Sequence, residues 1–306
     1  MSLARSLLLA GSRSRFLAGL LRRRHFVGRA ARRFMPGEEL SDALEAARLL
    51  APRGIGTVLT KLGENVTTLA EAEGVERHYL EALGQIERAA LPAQLSVKLT
   101  QLGLDVDRAA CERSLRALAA RVGDGSILWI DMEDSSYTDV TLELFRRVRG
   151  DGASVGVCLQ AYLRRTPADL EALLPLEPAI RLVKGAYAEP PAVAHAKKRD
   201  VDAAYLVLAT RLLERAAAGK ARPVFGTHDM RLVESIRARA AAAGIPPRRC
   251  EWHMLYGIRE KDQRTLAASG EAVRVLVSYG SAWFAWYLRR LAERPANVWF
   301  VVKNLV

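Results

Sequence analysis

Short apolar runs alternate with longer amphipathic stretches along most of this chain. The runs are Gly56–Leu59, Leu95–Leu99, Ile127–Ile130, Val155–Leu159, Ile180–Val183, Pro223–Phe225, Cys250–Met254 and Val273–Val277. They recur every roughly 23 to 43 residues, within the range of repeated strand–helix units. Between them, apolar positions spaced three and four apart predict helices over Glu71–Ala90, Arg108–Val122, Asp139–Val148, Asp200–Ala218 and Asp229–Ala243. The runs are apolar at nearly every position, which suits parallel strands covered on both faces. Eight such units predict an α/β fold, a closed (β/α)8 TIM-type barrel rather than an open doubly wound sheet. The 306 residues fit one barrel of roughly 250 with extra helices. No GxGxxG follows the first run, so a Rossmann dinucleotide site has no support.

The two ends depart from this rhythm. Residues 1–35 read as an amphipathic helix, with Leu7, Leu8, Phe16, Leu17, Leu20 and Leu21 interleaved with arginines. A further helix is expected from Glu38 to Leu50, stopped by Pro52 and Gly54. The chain is therefore divided into an N-terminal helical segment, 1–50, and a barrel, 51–306. The last stretch carries Phe284, Tyr287, Leu288 and Leu291 at helical spacing around the adjacent Arg289 and Arg290. It is expected to form a final helix over the C-terminal mouth of the barrel. Side chains of neighbouring helical residues diverge by about 100°, so both arginines reach one target only if that helix end-caps a pocket. The alternative is a solvated pair bridging to Glu293.

The formal net charge is +12, and no acidic residue precedes Glu38, whereas nine arginines do. The body is only mildly basic. An anionic partner is implied, but no motif with interleaved aromatics points to nucleic acid. The N-terminal segment is open to three readings: a transit peptide, a helix lying on an anionic membrane, or a helix packed on the body. The Ala/Arg/Leu-heavy style of the chain suggests a bacterial protein and favours the last two. No apolar run is long enough to span a membrane. Cys111, Cys158 and Cys250 are far apart, which excludes a zinc site or a disulfide framework and leaves reduced thiols.

Chemistry in such a barrel gathers at the C-terminal strand ends. There the sequence places Thr60, Lys61, Gly63 and Glu64; Lys98; Asp131, Glu133 and Asp134; Gln160; Lys184; Thr227, His228 and Asp229; His253 and Tyr256; and Ser278 and Tyr279. Lys98, Arg181 and Lys184 lie on or beside buried strands, where a cation is costly unless paired or facing a wet cavity. Pairing of Lys98 with Asp131 or Glu133 is one answer, and a cavity built for anions is the other. Barrel-strand lysines can also serve as Schiff-base nucleophiles, and an inactive membrane-binding scaffold is the reading that the arginine-rich start alone suggests.

The order LGEN, SVKLTQLGLD, IDMEDSSYTD, CLQAYLRRTPADL, IRLVKGAY, GTHD, MLYGIR and RRLAERPANVWFV resembles the monofunctional bacterial proline dehydrogenases from about residue 35 onward. The resemblance implies a (β/α)8 barrel with non-covalent FAD that oxidises L-proline to Δ1-pyrroline-5-carboxylate, the first step of proline catabolism. It further implies quinone as electron acceptor and a bacterial cytoplasmic protein, peripheral at the inner membrane. Position by position, it implies that Lys98, Arg289 and Arg290 hold the substrate carboxylate. Tyr187 would lie near the substrate, and Glu293 would orient the arginines. Asp131 and Arg181 match active-site positions, Arg181 near the reactive flavin nitrogen. Met132, Gln160, Lys184, Gly185, Ala186, Thr227 and His228 match FAD contacts.

Several positions depart from the family. Trp286 and Leu276 stand where the family has tyrosines, the common ATHN is GTHD here, and the common FQMLYG is Trp252-His253-Met-Leu-Tyr-Gly. Losing two hydroxyls reshapes a pocket, and polar sites discriminate more sharply than apolar ones. A different cyclic imino acid or an N-alkyl amino acid is therefore the alternative substrate.

Overall fold

The computed structural model describes residues 33–63 and 65–283. Of the helix expected over 1–35, only residues 33–35 are described, and they include a turn rather than helix. Glu64, the expected final helix, Trp286, Arg289, Arg290 and Glu293 lie outside the described residues.

Helix α1 (Leu40–Leu50) buries Leu40, Ala43, Leu44 and Ala47 against β1 and β8. Asp42 accepts the Glu39 N–H at 3.0 Å, satisfying a donor the helix start leaves orphaned. As expected, Pro52 and Gly54 end it, through a short turn whose left-handed last residue, φ 70°, is Gly54.

The strands are β1 (Ile55–Lys61), β2 (Ala93–Val97), β3 (Leu128–Ile130), β4 (Val155–Gln160), β5 (Ala179–Val183), β6 (Arg222–Gly226), β7 (Glu251–Leu255) and β8 (Ala272–Tyr279). They pair in parallel in sequence order, and β8 closes on β1. The expected closed (β/α)8 barrel is the observed fold. Between successive strands run α2 (Leu69–Arg88), α3 (Arg108–Ala120), α4 (Thr138–Gly150), α5 (Thr166–Leu173), α6 (Lys198–Ala217), α7 (Met230–Ala242) and α8 (Glu260–Ala268). Several begin on the caps their sequences predict. Thr68 and Glu71 form a capping box on α2, and Asp107 accepts from Ala109 and Ala110 N–H at 2.8 and 3.0 Å on α3.

Each unit lies within a residue or two of its expected place. The second strand is the informative difference: it ends at Val97, and Leu99–Leu102 form a short 3-10 turn. The Thr100 N–H and hydroxyl are bound by Glu133 at 3.1 and 2.7 Å, so they are drawn out of any strand ladder. Leu99 is buried by that turn, which is why an apolar run overstated the strand.

Side chains alternate strictly across the wall. Leu59, Leu95, Ile130, Val157, Leu182, Phe225 and Val275 pack outward in one large core under the helices. Val58, Trp129, Ala179, Val224 and Leu276 pack inside the barrel. Gly156 leaves room there for Trp129, whose ring lies 2.6 Å from where a Cβ would sit. At the N-terminal end the interior is ionic. The buried Glu251 meets Arg222 at 3.3 Å and Arg274 at 3.2 Å, and Gly56 clears the space that Arg274 fills.

Candidate active site

Arg181 is the third residue of β5, in register with Cys158 on β4 and Val224 on β6. That register turns its side chain into the barrel, where it is 4% exposed. A buried cation needs partners, and it has three. It pairs with Asp131 at the end of β3, donates to Ser96 Oγ at 2.9 Å, and lies over the Trp129 ring at 5.1 Å. Ser96 in turn donates to Asp131 at 2.9 Å, closing a triangle. Trp129 is fixed by its indole N–H on Gln94 at 2.7 Å. Asp131 thus pairs with Arg181 and not with Lys98, contrary to one of the pairings considered from sequence.

Arg181, Asp131 and Cys158 line a cavity of about 700 Å³ at the C-terminal ends of the strands, within the range of roughly 300–1,000 Å³ usual for small-molecule sites. One wall comes from the loops after β5 and β6: Lys184, Gly185, Ala186, Thr227 and His228. Gly185 is required there. Its φ is 119°, and a Cβ would lie 2.2 Å from the Tyr162 ring. His228 Nε2 accepts the Leu255 N–H at 2.9 Å, so that nitrogen is unprotonated. Thr227 Oγ1 accepts the Asp229 N–H at 3.1 Å. Leu276, Met254 and Leu255 supply apolar surface, and Arg33, Phe34, Arg231 and Arg259 also line the cavity.

The structure therefore brings Asp131, Arg181, Lys184, Gly185, Ala186, Thr227 and His228 around one space. Lys98, half-buried, follows directly on β2. Met132 and Gln160 are buried at the ends of β3 and β4, and Gln160 donates to the Glu133 carbonyl at 2.6 Å. Tyr187 is half-buried in the loop before α6. These four are not among the residues lining the cavity. Sequence reasoning missed Ser96, Trp129, Cys158 and Arg259. The first three stand two residues from a recognised position on the same strand face, so alternation could have found them. Arg259, in a left-handed conformation before α8, left no such signal.

His253 also lines the cavity and connects it to the barrel floor. It shares a 2.7 Å hydrogen bond with Glu251 and stands edge-on to Trp129 at 5.5 Å. Burial, only partly offset by Glu251, holds its pKa down to about 4 from an ordinary 6.5, so it is neutral at pH 7. With Glu251 ionised, Nε2–H is the donor, and Nδ1 has no hydrogen-bond partner among the described residues. Burial opposes ionisation of Glu251, but His253, Arg274 and Arg222 outweigh it and hold its pKa well below the carboxylate range. The sign of the consequence is the same for both groups. Between pH 6.5 and about 4 the unfolded chain takes up a proton that folded His253 refuses, and below 4.5 it takes up one that Glu251 refuses. Stability therefore falls with falling pH. His253→Gln is expected to remove the upper part of that fall, on the order of 2 kcal/mol. Denaturant midpoints at pH 7 and pH 5 check it, and equal pH slopes in the two proteins contradict it.

The sequence matches the family model described as proline dehydrogenase over residues 43–303. It is 38% identical to the proline dehydrogenase of Deinococcus radiodurans over 282 residues, covering 90% of each chain. It is 36% identical to proline dehydrogenase 1 of Bacillus subtilis subsp. natto over 278 residues, again 90% of each. In fold it is similar to proline utilization A from Bdellovibrio bacteriovorus inactivated by N-propargylglycine, with TM-score 0.80 at 24% identity over 90% of this chain. It spans 33% of that longer protein. A barrel with this strand-end set, matched over most of its length, places the chain in the proline dehydrogenase family.

Proposed function

We propose that this chain oxidises L-proline to Δ1-pyrroline-5-carboxylate with non-covalent FAD and passes the electrons to quinone. The single observation that carries the reading is the buried Asp131–Ser96–Arg181 triangle beside the wall of Lys184, Gly185, Ala186, Thr227 and His228. The residues present fit the cofactor: the cavity of about 700 Å³ carries cationic and hydroxyl donors along one wall, and Gly185 keeps a backbone segment open where any side chain would collide. Lys184, Gly185, Ala186, Thr227 and His228 would hold FAD, with Met132 and Gln160 completing its surroundings and Arg181 facing the ring. A bound flavin supplies the hydride acceptor.

The chain's own residues supply orientation and charge. Arg181, fixed on three sides, would offer a preorganised positive charge to a bound flavin and need not reorganise to do so. Asp131 and Ser96 hold that guanidinium in position. Lys98, Arg289 and Arg290 together match a carboxylate clamp, since guanidinium forks and an ammonium suit one carboxylate, and Tyr187 would border the substrate. Leu276, Met254 and Leu255 give the cavity an apolar surface that would limit water around a bound substrate.

Among the described residues no helix is long and apolar enough to cross a membrane. Quinone is membrane-borne, and the arginines before Glu38 suit an anionic surface, so we place the protein peripherally at the bacterial inner membrane. Proline is retained as substrate over other imino acids because the relatives are proline dehydrogenases by name. A Schiff-base role for Lys184 is disfavoured because two carboxylates pair with its ammonium.

Anaerobic titration tests the reading. The purified yellow protein is expected to lose its visible flavin absorbance on stoichiometric addition of L-proline. Protein that takes up no FAD, or whose flavin stays oxidised with excess proline, sinks it.

A further inference from the structure

Behind the wall formed by Lys184 and Thr227, two lysines and two aspartates form a closed ring. Lys184 Nζ lies 2.5 Å from Asp202 and 3.2 Å from Asp229. Lys198 pairs with the same two carboxylates, 3.3 Å from Asp229. The two aspartates differ in one respect: Asp229 lines the cavity and Asp202 does not. Asp229 also begins α7, where it accepts the Arg231 N–H at 3.3 Å. It occupies the last position of GTHD, where the family pattern has asparagine. Burial opposes its ionisation, but Lys184 and Lys198 prevail and hold its pKa below the usual carboxylate value, so it is an anion at neutral pH.

From this geometry we infer that Asp229 sets the affinity of the cavity wall for the phosphate groups of the dinucleotide, by competing with them for Lys184. The inference rests on the FAD reading above. A phosphate anion approaching Lys184 meets a cation already bracketed by two carboxylates, and one of those carboxylates faces the incoming charge. Like charges brought together in a partly desolvated wall cost affinity. Asn in place of Asp229 is nearly isosteric and keeps both the helix cap and an acceptor for the lysines. It leaves Asp202 to hold Lys184 in place. What it removes is the negative charge that the lysine–aspartate ring presents to the cavity.

The test is equilibrium titration of the full-length protein and its Asp229→Asn and Asp202→Asn variants with FAD and with riboflavin, followed by flavin fluorescence. Asp229→Asn is expected to bind FAD roughly tenfold more tightly, with the gain shrinking as salt rises and with riboflavin affinity unchanged. Asp202→Asn, at a residue that does not line the cavity, is expected to show a smaller gain. Unchanged or weaker FAD binding by Asp229→Asn overturns the inference, and so does an equal gain for riboflavin, which has no phosphate. In either case, wild-type protein that still binds FAD leaves the flavin reading standing. Wild-type protein that binds neither removes both.

Discussion

Replacing Arg181 with methionine is expected to lower turnover of L-proline by about 10²–10³-fold, with a much smaller change in KM. That is the cost observed when one preorganised donor to developing negative charge is removed. The loss should appear in turnover because the charge that Arg181 opposes exists only as reduction proceeds, and uniform binding is not what is being removed. Methionine approximates the length of the side chain and stays in contact with Trp129, so the barrel interior remains filled. Asp131 loses its cation and, among the described residues, keeps the Ser96 hydroxyl as its side-chain partner, so stability should also fall. Arg181→Lys is not expected to restore activity, because an ammonium on a shorter stem loses the planar stacking over the Trp129 ring and does not present the remaining N–H donors of the guanidinium. Steady-state kinetics on flavin-loaded protein decides the point. A loss under about tenfold would remove Arg181 from the catalytic machinery.

The largest effect on stability is expected from Glu251→Ala. Glu251 is buried and is the shared anion of Arg222, Arg274 and His253. Among the described residues, Arg274 has one other side-chain partner, the Pro92 carbonyl at 2.8 Å. Deleting the carboxylate leaves the more buried Arg274 without its anion, while the more exposed Arg222 keeps water and the Gly125 carbonyl at 3.4 Å. Breaking a buried ion network in this way costs about 3–5 kcal/mol, a large part of the total stability of a domain. A shifted denaturant midpoint at unchanged slope would measure it. The same change should abolish the steep acid dependence below pH 4.5, since that part belongs to Glu251 itself. A loss under about 1 kcal/mol would mean that water replaces the carboxylate and that the network is not dry.

Both predictions concern residues that one strand face brings together, and this marks where the sequence was legible. The eight strands were readable because each unit repeats the same physics, an apolar run followed by an amphipathic helix, and local pattern suffices for it. Their C-terminal ends were readable as the site because a parallel barrel places every such end on one rim. Lys184, Thr227 and His228 were found on that ground, though nothing in spacing alone says that they share a wall.

The sequence by itself determined the barrel, the cation-rich strand ends and the resemblance to a family, since each depends on order and periodicity along the chain. Only the tertiary structure decided which charge meets which. Register across neighbouring strands put Arg181 against Asp131 and Ser96 rather than leaving Asp131 to Lys98. It put His253 between Glu251 and Trp129, and it joined Lys184 and Lys198 to the aspartates of two different helix starts. Those partners are separated by up to 124 residues, from Trp129 to His253, and the choice among them depends on distances and burial that no local pattern encodes.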